Sequence, residues 1–305
     1  MIGIFRNQGK KDLHKQTIAM NFVENGISSL EREYFSTTTE EYRPCDIAIV
    51  WGSHKNVRGD SYFLKNIYDC QRRNGGKIIV LEKGFIKRED YYLVGWNHPG
   101  GCGDYKNDNM PPDRFQKLDV QVTPWKQKED KDFYSILVCG QIPWDQNIQE
   151  IRLRSWCRFV SHQLSLKVGK NCKIRYKPHP KMMTQKRARN KGLGLRQDKA
   201  VDMTSFNMET QQEKNLLQVI EQKKIDIVIC YSSNSAVEAV INGTPVITFS
   251  ESSMAWDVTS HEINHQTITN PFMPDRTQWL NNLAYTQWNL EEISQGLPFK
   301  HLGVT

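Results

Sequence analysis

The sequence lacks a long hydrophobic run, and no apolar stretch approaches the ~20 residues that a helix needs to span a bilayer. The amino-terminal string MIGIFRNQGKK places its charges after a short apolar piece, whereas a secretory signal places them before it. A hydrophobic content of 38% and a mean hydropathy of −0.63 are typical of a soluble globular protein. We therefore expect a cytoplasmic protein with no membrane partner.

Paired cysteine motifs are also missing. The seven cysteines are scattered without a C-x-x-C pair, and several lie inside apolar runs. Buried free thiols in a reducing compartment explain this pattern better than disulfides or a structural zinc. We predict that the protein holds no metal ion and needs no cofactor.

Several enzyme signatures are absent as well. The chain has no G-x-S-x-G elbow, no Walker A lysine loop and no G-x-G-x-x-G string. These absences argue against a hydrolase with a nucleophile elbow, a P-loop enzyme and a dinucleotide-binding enzyme.

The chain does have a regular alternation of apolar runs and helical patterns. The apolar runs are IGIF, DIAIVWG and KIIVLEKG in the first half, and FYSILVCGQIP, CKIRYKPHP, DIVIC and PVITF in the second. This alternation predicts parallel sheets that helices cover on both faces. We expect an α/β fold in which two doubly wound, Rossmann-like domains face each other across a cleft.

Irregular segments suggest where these domains begin and end. The string VTPWKQKEDK at 122–131 is polar and charged and contains a proline, as linkers do. We therefore predict domains at 1–128 and 129–275, followed by C-terminal helices at 276–305 that pack back on the first domain. Residues 91–112 are rich in Gly, Asn, Asp and Pro and are expected to form a long loop that is either functional or mobile.

Polar residues follow the strands of the predicted second domain, where ligands of such sheets bind. Residues 232–235, Ser-Ser-Asn-Ser, stand between a strand and a helix, so they are suited to seat a phosphate, with ordinary helix capping as the alternative. His179 lies between two prolines beyond a strand end and can donate to a phosphate oxygen. The predicted donor-binding residues are Gly140, Gln141, Lys177, His179, Ser232, Ser233, Asn234, Ser235, Glu238, Ser253, Met254 and Trp256.

Some of these assignments have structural alternatives. Glu238 lies one turn into the helix, where it either takes ribose hydroxyls or is an exposed helix glutamate. Trp256 either faces the cleft beside Ser253 and Met254 or belongs to the core.

Deprotonation of an acceptor hydroxyl requires a carboxylate or a histidine in the first domain. Asp104, in the glycine-rich loop, and His54, after the run DIAIVWG, are the candidates for this catalytic base.

A basic segment accompanies the formal net charge of +7. Residues 181–196 contain no acidic side chain and carry the cations Lys181, Lys186, Arg187, Arg189, Lys191 and Arg196. This segment is either a solvated loop or an arm that contacts the phosphates of DNA.

The polar blocks resemble a known family. KPHP followed by SSNSAVEAVINGTPVI is similar to the nucleotide-sugar site of GT-B glycosyltransferases. The strings VGWNHPGGCGDYKNDNMPPDRF, VCGQIPWD and WLNNLAYTQWNLEEISQG also resemble successive blocks of glycosyltransferase-like proteins encoded by double-stranded DNA bacteriophages. The resemblance begins at residue 94, and the earlier part of the chain matches only in pattern.

The resemblance implies a metal-independent hexosyl- or pentosyltransferase whose co-substrate is a nucleotide sugar, first of all a UDP-sugar. It implies that His179 and residues 232–235 hold the diphosphate and that Glu238 holds the ribose. Phage enzymes of this kind glycosylate hydroxymethylated pyrimidines, so the implied acceptor is DNA in the cytoplasm of an infected host cell. A base inside a duplex has to be flipped out to reach such a site.

Two other functions remain open from the residues alone. The acceptor is a saccharide or a lipid-linked sugar, or the protein binds nucleotide or DNA on the same fold without catalysis.

Overall fold

The computed structural model describes residues 1–6, 14–38, 41–52, 61–127, 132–142, 151–169, 171–180, 208–211 and 215–304. The strands are β1 (Ile2–Phe5), β2 (Tyr34–Thr37), β3 (Ile47–Trp51), β4 (Lys77–Lys83), β5 (Tyr91–Trp96), β6 (Tyr134–Cys139), β7 (Cys172–Lys177), β8 (Glu209–Thr210), β9 (Ile227–Cys230), β10 (Val246–Thr248) and β11 (Gln287–Asn289). The helices are α1 (His14–Ser28), α2 (Ser61–Arg73), α3 (Asp113–Lys117), α4 (Leu153–Lys167), α5 (Leu216–Gln222), α6 (Ser235–Ile241), α7 (His265–Thr269), α8 (Thr277–Ala284), α9 (Leu290–Ser294) and α10 (Leu297–His301). None of these helices is long and apolar enough to cross a membrane.

The chain divides into two compact units. One comprises Met1–Val120 together with Thr277–Thr305, and the other comprises Gln121–Arg276. Each unit contains its own sheet, and both sheets include parallel strands. The predicted mixed α/β class with parallel sheets is therefore confirmed.

The division falls at Val120 and not at residue 128. The backbone amide of Thr123 donates to the Ile241 carbonyl, and that of Lys126 donates to Gly243, so this stretch already belongs to the second unit. The polar composition that predicts a linker therefore reflects a surface segment that hydrogen-bonds along the end of α6.

The first unit contains a six-stranded sheet in the order β11-β5-β4-β3-β1-β2. Strands β1 to β4 are mutually parallel. Their order reverses between β1 and β3, because β2 lies on one side of β1 and the later strands lie on the other. Helices α1 and α2 supply apolar side chains to the two faces of this sheet, as in other doubly wound folds.

This unit contains two antiparallel strand pairs that the sequence analysis does not predict. Strand β5 occupies the start of the segment predicted to be a loop at 91–112, and its Leu93 and Val94 are buried. Strand β11 lies in the tail, which the sequence predicts as helices only, and Trp288 pairs with Tyr92 across the two strands. Pattern analysis misses β5 because glycines and asparagines follow it closely. It misses β11 because that strand is only three residues long.

An arginine from α3 holds the tail to the first unit. Arg114 makes a bidentate ion pair with Glu292, at 2.7 Å and 3.0 Å, and donates to the Gln287 carbonyl at 2.9 Å. Its guanidinium also lies 3.8 Å from the centre of the Trp288 ring. Planar, bidentate contacts of this kind restrict geometry more than a lysine would.

The second unit contains a five-stranded sheet in the order β10-β9-β6-β7-β8, and all its pairs are parallel. The strand order reverses between β6 and β9, the first and fourth strands of the unit. Buried side chains of β6, β9 and α4 form the core on one face, including Val138, Ile229, Trp156 and Val160.

The seven cysteines are all free thiols. Cys139, Cys157 and Cys230 are buried, whereas Cys102 is exposed.

Candidate functional site

Four strands of the second sheet end level with one another. Cys139 at the end of β6 is the Cα partner of both Lys177 on β7 and Cys230 on β9, and Cys230 is the partner of Thr248 on β10. Because all four strands are parallel, the polar loops that follow them leave from one edge, here called the carboxyl edge. Ligands of open α/β sheets bind outside this edge, at the point where strand order reverses.

At that reversal point two predicted site residues, Gln141 and Ser232, are joined by hydrogen bonds. The Ser232 amide donates to Gln141 Oε1 at 2.9 Å, and Gln141 Nε2 donates to Ser232 Oγ at 3.1 Å. Only 4% of Gln141 and 8% of Ser232 are exposed. These two side chains therefore join the loops after β6 and β9, and their polar groups are directed at each other.

The glycine before this pair is required by close packing. A Cβ atom on Gly140 would collide with the hydroxyl oxygen of Tyr176, and the Gly140 amide donates to the Lys177 carbonyl at 2.8 Å. Gly140 thus contributes space for the neighbouring strand, in addition to any role in ligand binding.

The Ser-Ser-Asn-Ser loop precedes α6, but the side chain of its N-cap residue does not cap the helix. Asn234 is the N-cap residue by position, but its side chain makes no capping hydrogen bond and instead donates to Glu238 Oε1 at 2.9 Å. Ser233 Oγ accepts from the Ser235 amide at 3.3 Å. Because Ser233 and Asn234 serve two different local contacts, capping does not account for the whole loop.

The residues after β7 differ sharply in exposure. Lys177 is only 5% exposed, Pro178 is buried, and His179 is half-buried at the carboxyl edge.

The loop after β10 folds back onto its own strand. The Thr248 amide donates to the Ser260 carbonyl at 2.9 Å, and the hydroxyls of Thr248 and Thr259 lie 2.6 Å apart. Ser253 is buried, and its hydroxyl accepts from the Ala255 amide at 3.3 Å. Ser253 thus stabilises the loop internally, while Met254 remains half-buried.

Trp256 was predicted either to face the cleft or to belong to the core, and its partial burial matches neither alternative fully. It is half-buried, and its ring stacks on His261 with centroids 3.4 Å apart and an interplanar angle of 13°. The stack stabilises the end of the loop.

The same loop contains an H-E-x-x-H string, H-E-I-N-H at 261–265. Zinc enzymes with this string carry both histidines on one face of a helix. Here α7 begins only at His265, and Ile263 between the histidines is buried in the core. Among the residues that the structure describes, no group of three or more His, Cys, Asp or Glu side chains is arranged to hold a metal ion.

Asp104, one of the two predicted candidates for the catalytic base, does not lie at the carboxyl edge of the first sheet. It pairs with Trp96, which lies opposite Ile79 near the start of β4, so it belongs to the amino-terminal edge of the first sheet. Burial raises the pKa of its carboxyl, but the hydrogen bonds and charge of Lys106 outweigh this and hold the pKa below its usual value. The direction of β5, which the sequence does not reveal, accounts for the difference.

A carboxylate that the sequence analysis does not single out lies at the opposite edge. Glu82, near the end of β4, has its Oε2 3.7 Å from where a Cβ on Gly52 would stand, directly after β3. Its place within the string KIIVLEKG, just before a strand-ending glycine, is the signal that points to it.

The sequence analysis also does not identify a group of aromatic side chains at the carboxyl edge of the second sheet. Trp156 on α4 packs edge-on against Tyr231, which follows β9, and Phe249, which follows β10, at centroid distances of 6.0 Å and 5.9 Å. The spacing of Trp156, Val160 and Leu164 marks the buried stripe of α4, but it does not tell which strand ends that stripe covers.

Several predicted residues lie outside the described part of the chain. They are the second base candidate, His54, and the predicted DNA-binding residues Lys186, Arg187, Arg189, Lys191 and Arg196.

A cavity of about 430 Å³ lies elsewhere in the second unit. Residues between Ser260 and Pro274 line it, beside β10 and α7. Of the predicted donor-binding residues, none lines this cavity.

Comparisons with known proteins agree with this architecture. No protein-family model and no curated protein matches the chain. Among solved structures, the chain is similar to Thermosulfurimonas dismutans KpsC, beta Kdo 2,4 transferase, with a TM-score of 0.52 and 14% identity, covering 97% of both chains. It is similar to Thermosulfurimonas dismutans KpsC, beta Kdo 2,7 transferase, with a TM-score of 0.52 and 15% identity, covering 97% of this chain and 98% of that one.

The fold is therefore similar to that of these two Kdo transferases, with Rossmann-like parallel sheets. At this level of identity the likeness describes the fold, and the chemistry has to be argued from the site.

The Gln141–Ser232 pair yields a test of the site's construction. Gln141→Leu leaves the buried Ser232 amide without an acceptor, so we expect the free energy of unfolding of the second unit to fall by about 1–3 kcal/mol. Chemical denaturation measures this, with Gln218→Leu on the exposed face of α5 as the matched control. Equal stability of the two variants would show that the pair does not join the loops.

Proposed function

We propose that the protein is a glycosyltransferase that moves a sugar from a nucleotide-activated donor to an acceptor hydroxyl. The observation that carries this proposal is the level carboxyl edge of the second sheet, where four polar loops meet at a reversal of strand order. Such a reversal point is where nucleotides bind in open α/β sheets. The glycosyltransferase-like fold supports the choice of reaction class.

The donor nucleotide sugar, with a UDP-sugar as first choice, is assigned to this edge. Its phosphates face His179 and residues 233–235, and Glu238 is the residue assigned to the ribose. Gly140, Gln141, Ser232 and Ser253 support the loops around the donor, since their polar groups or their small size are already used within the protein. Met254 and Trp256 line the side formed by the loop after β10.

In the transfer step, an acceptor oxygen attacks the anomeric carbon of the sugar. The bond between that carbon and the donor phosphate oxygen breaks, and the leaving phosphate takes the electron pair. Hydrogen-bond donors at the carboxyl edge stabilise the charge that develops on the leaving group. The proton of the acceptor hydroxyl passes to a general base.

Glu82 joins the two predicted candidates for that base, His54 and Asp104. His54 follows β3 in the sequence, and Glu82 lies beside Gly52 at the carboxyl edge of the first sheet. A carboxylate or imidazole at this edge is suited to accept a proton at neutral pH.

Turnover tests the proposal against a non-catalytic role. The protein is incubated with a panel of nucleotide sugars and with two acceptors, hydroxymethylated DNA and an oligosaccharide, and the products are identified by mass. We expect an acceptor heavier by one sugar and an equal amount of released nucleotide. If no nucleotide sugar is consumed with either acceptor while nucleotide still binds, the protein is a binding protein on this fold.

The donor site has its own test in His179. We expect His179→Ala to weaken binding of UDP by about tenfold or more, because it removes a hydrogen-bond donor to a charged phosphate. Isothermal titration calorimetry measures the affinity, with His162→Ala on the exposed side of α4 as the control. Equal affinities for wild type and both variants would remove His179 from the donor site.

Different observations favour two acceptors. The charge of +7 and the basic segment at 181–196 support hydroxymethylpyrimidine DNA as the leading acceptor. The similar solved structures are named as Kdo transferases, which supports a saccharide acceptor as the second candidate.

Salt dependence separates these acceptors. If the basic segment binds DNA, the logarithm of the binding constant falls steeply with the logarithm of salt concentration, by about 0.9 for each phosphate contacted. Lys186→Gln with Arg187→Gln then lowers this slope by about 2, whereas Lys167→Gln with Lys300→Gln, at exposed sites elsewhere, leaves it unchanged. Salt-independent or undetectable DNA binding would favour the saccharide acceptor.

A further inference from the structure

The cavity between Ser260 and Pro274 lies away from the proposed donor site. Ser260 at its wall pairs with Ile247 of β10, and β10 is the outermost strand of the sheet, so the cavity lies at the outer side of that strand. The reversal of strand order lies farther inside the sheet, between β6 and β9. With about 430 Å³, the cavity falls within the ~300–1,000 Å³ that is usual for small-molecule sites.

The walls of this cavity are held by contacts inside the second unit. Asn264 and Thr267 form a capping box at the start of α7, in which the Thr267 amide donates to Asn264 Oδ1 at 2.8 Å. The prolines at 271 and 274 have fixed backbone φ angles, and the Trp125 indole donates to the Pro274 carbonyl at 2.8 Å. A preformed cavity of this kind needs little ordering when a ligand binds.

Several polar side chains of the cavity have no partner among the described residues. The carboxamides of Gln266 and Asn270 and the hydroxyl of Ser260 make no hydrogen bond with these residues. Glu262 accepts from Asn264 Nδ2 at 2.8 Å with one carboxylate oxygen, and its second oxygen is open to a ligand. The free groups therefore include both hydrogen-bond donors and acceptors.

The charge of the cavity restricts the class of ligand. Glu262 lines it, and no lysine, arginine or histidine does so among the described residues. An anionic ligand offers mainly acceptors and is repelled by this carboxylate. A compact cation offers only donors, which would leave the amide hydrogens of Gln266 and Asn270 unmatched. A neutral ligand with several hydroxyl groups matches both kinds of group, because each hydroxyl donates and accepts.

An aromatic ring adds an apolar surface to these polar groups. Phe272 lines the cavity and is 48% exposed. A pyranose sugar presents C–H groups on one face and hydroxyls around its rim, and a phenyl ring buries apolar area against such a face. An exposed ring beside free carboxamides is thus suited to hold a sugar.

We propose that this cavity binds a neutral saccharide, in which Phe272 packs against the face of a sugar and Gln266 and Asn270 hydrogen-bond to its hydroxyls. This ligand class differs from the anionic nucleotide sugar assigned to the carboxyl edge. The inference goes beyond the proposed transfer reaction and does not depend on it, because none of the predicted donor-binding residues lines the cavity.

Binding of neutral trisaccharides tests the proposal. The probes are trisaccharides of glucose, galactose, mannose and N-acetylglucosamine, and their affinities are measured by titrations with NMR detection. We expect at least one to bind wild type with a dissociation constant below about 10 mM, and Phe272→Ala to bind it at least about threefold more weakly. Phe159→Ala is the matched control, because it removes a similarly exposed ring (46%) on α4, and it should bind as wild type does.

The carboxamides provide a second variant. We expect Gln266→Ala combined with Asn270→Ala to bind the same trisaccharide at least about fivefold more weakly, because two hydrogen-bonding groups are lost. Gln218→Ala, on the exposed face of α5, should leave the affinity unchanged. All these variants should melt at the wild-type temperature, since the side chains that they replace are exposed.

The neutral ligand class has its own readout. The same trisaccharide, with one hydroxymethyl group oxidised to a carboxylate, should bind wild type at least about fivefold more weakly because of Glu262. Glu262→Gln keeps an acceptor for Asn264 and should reduce this difference. Equal or tighter binding of the oxidised form by wild type would contradict a site for neutral sugars.

Three further results would overturn the inference. They are no binding of any of the four trisaccharides to wild type, equal affinities of Phe272→Ala and Phe159→Ala, and displacement of the trisaccharide by UDP, which would place it at the donor site. Saccharide binding that depends on Phe272 without turnover of any nucleotide sugar would support this inference and contradict the proposed transferase, whereas turnover without such binding would do the reverse.

Discussion

The parallel register of β6, β7, β9 and β10 is the constraint on which the candidate site depends. It aligns Cys139, Lys177, Cys230 and Thr248 in one row, so that the four following loops leave the sheet at the same level. The Gln141–Ser232 pair then joins the two loops that flank the reversal of strand order. Without that alignment the polar residues of these loops would be separate caps and turns.

Three polar residues at this edge are buried. Gln141 and Ser232 satisfy each other, as buried polar groups nearly always do. Lys177, the last residue of β7, is equally buried as a residue.

The site residues illustrate how far pattern analysis reaches. Residues 140–141, 177–179 and 232–235 were predicted to follow strand ends because polar side chains follow apolar runs, and the structure places them after β6, β7 and β9. Their partners were not found, since hydrogen bonds such as Gln141 to Ser232 join residues far apart in sequence. Asp104 lies at the opposite edge of its sheet for a related reason: it follows an antiparallel strand, so the same kind of signal leads to the other edge.

The α/β class, most strand positions and the polar loops follow from the amino-acid sequence, because apolar periodicity and turn-forming residues act over a few neighbours. Strand direction, strand order and the place of the tail were decided only by tertiary structure. The backbone donor and acceptor that pair are the same in nearly every residue, so the short sequences of β5 and β11 do not identify their partners or their direction. The burial of Lys177 belongs to the same category, because only packing against neighbouring strands and helices removes a lysine from water.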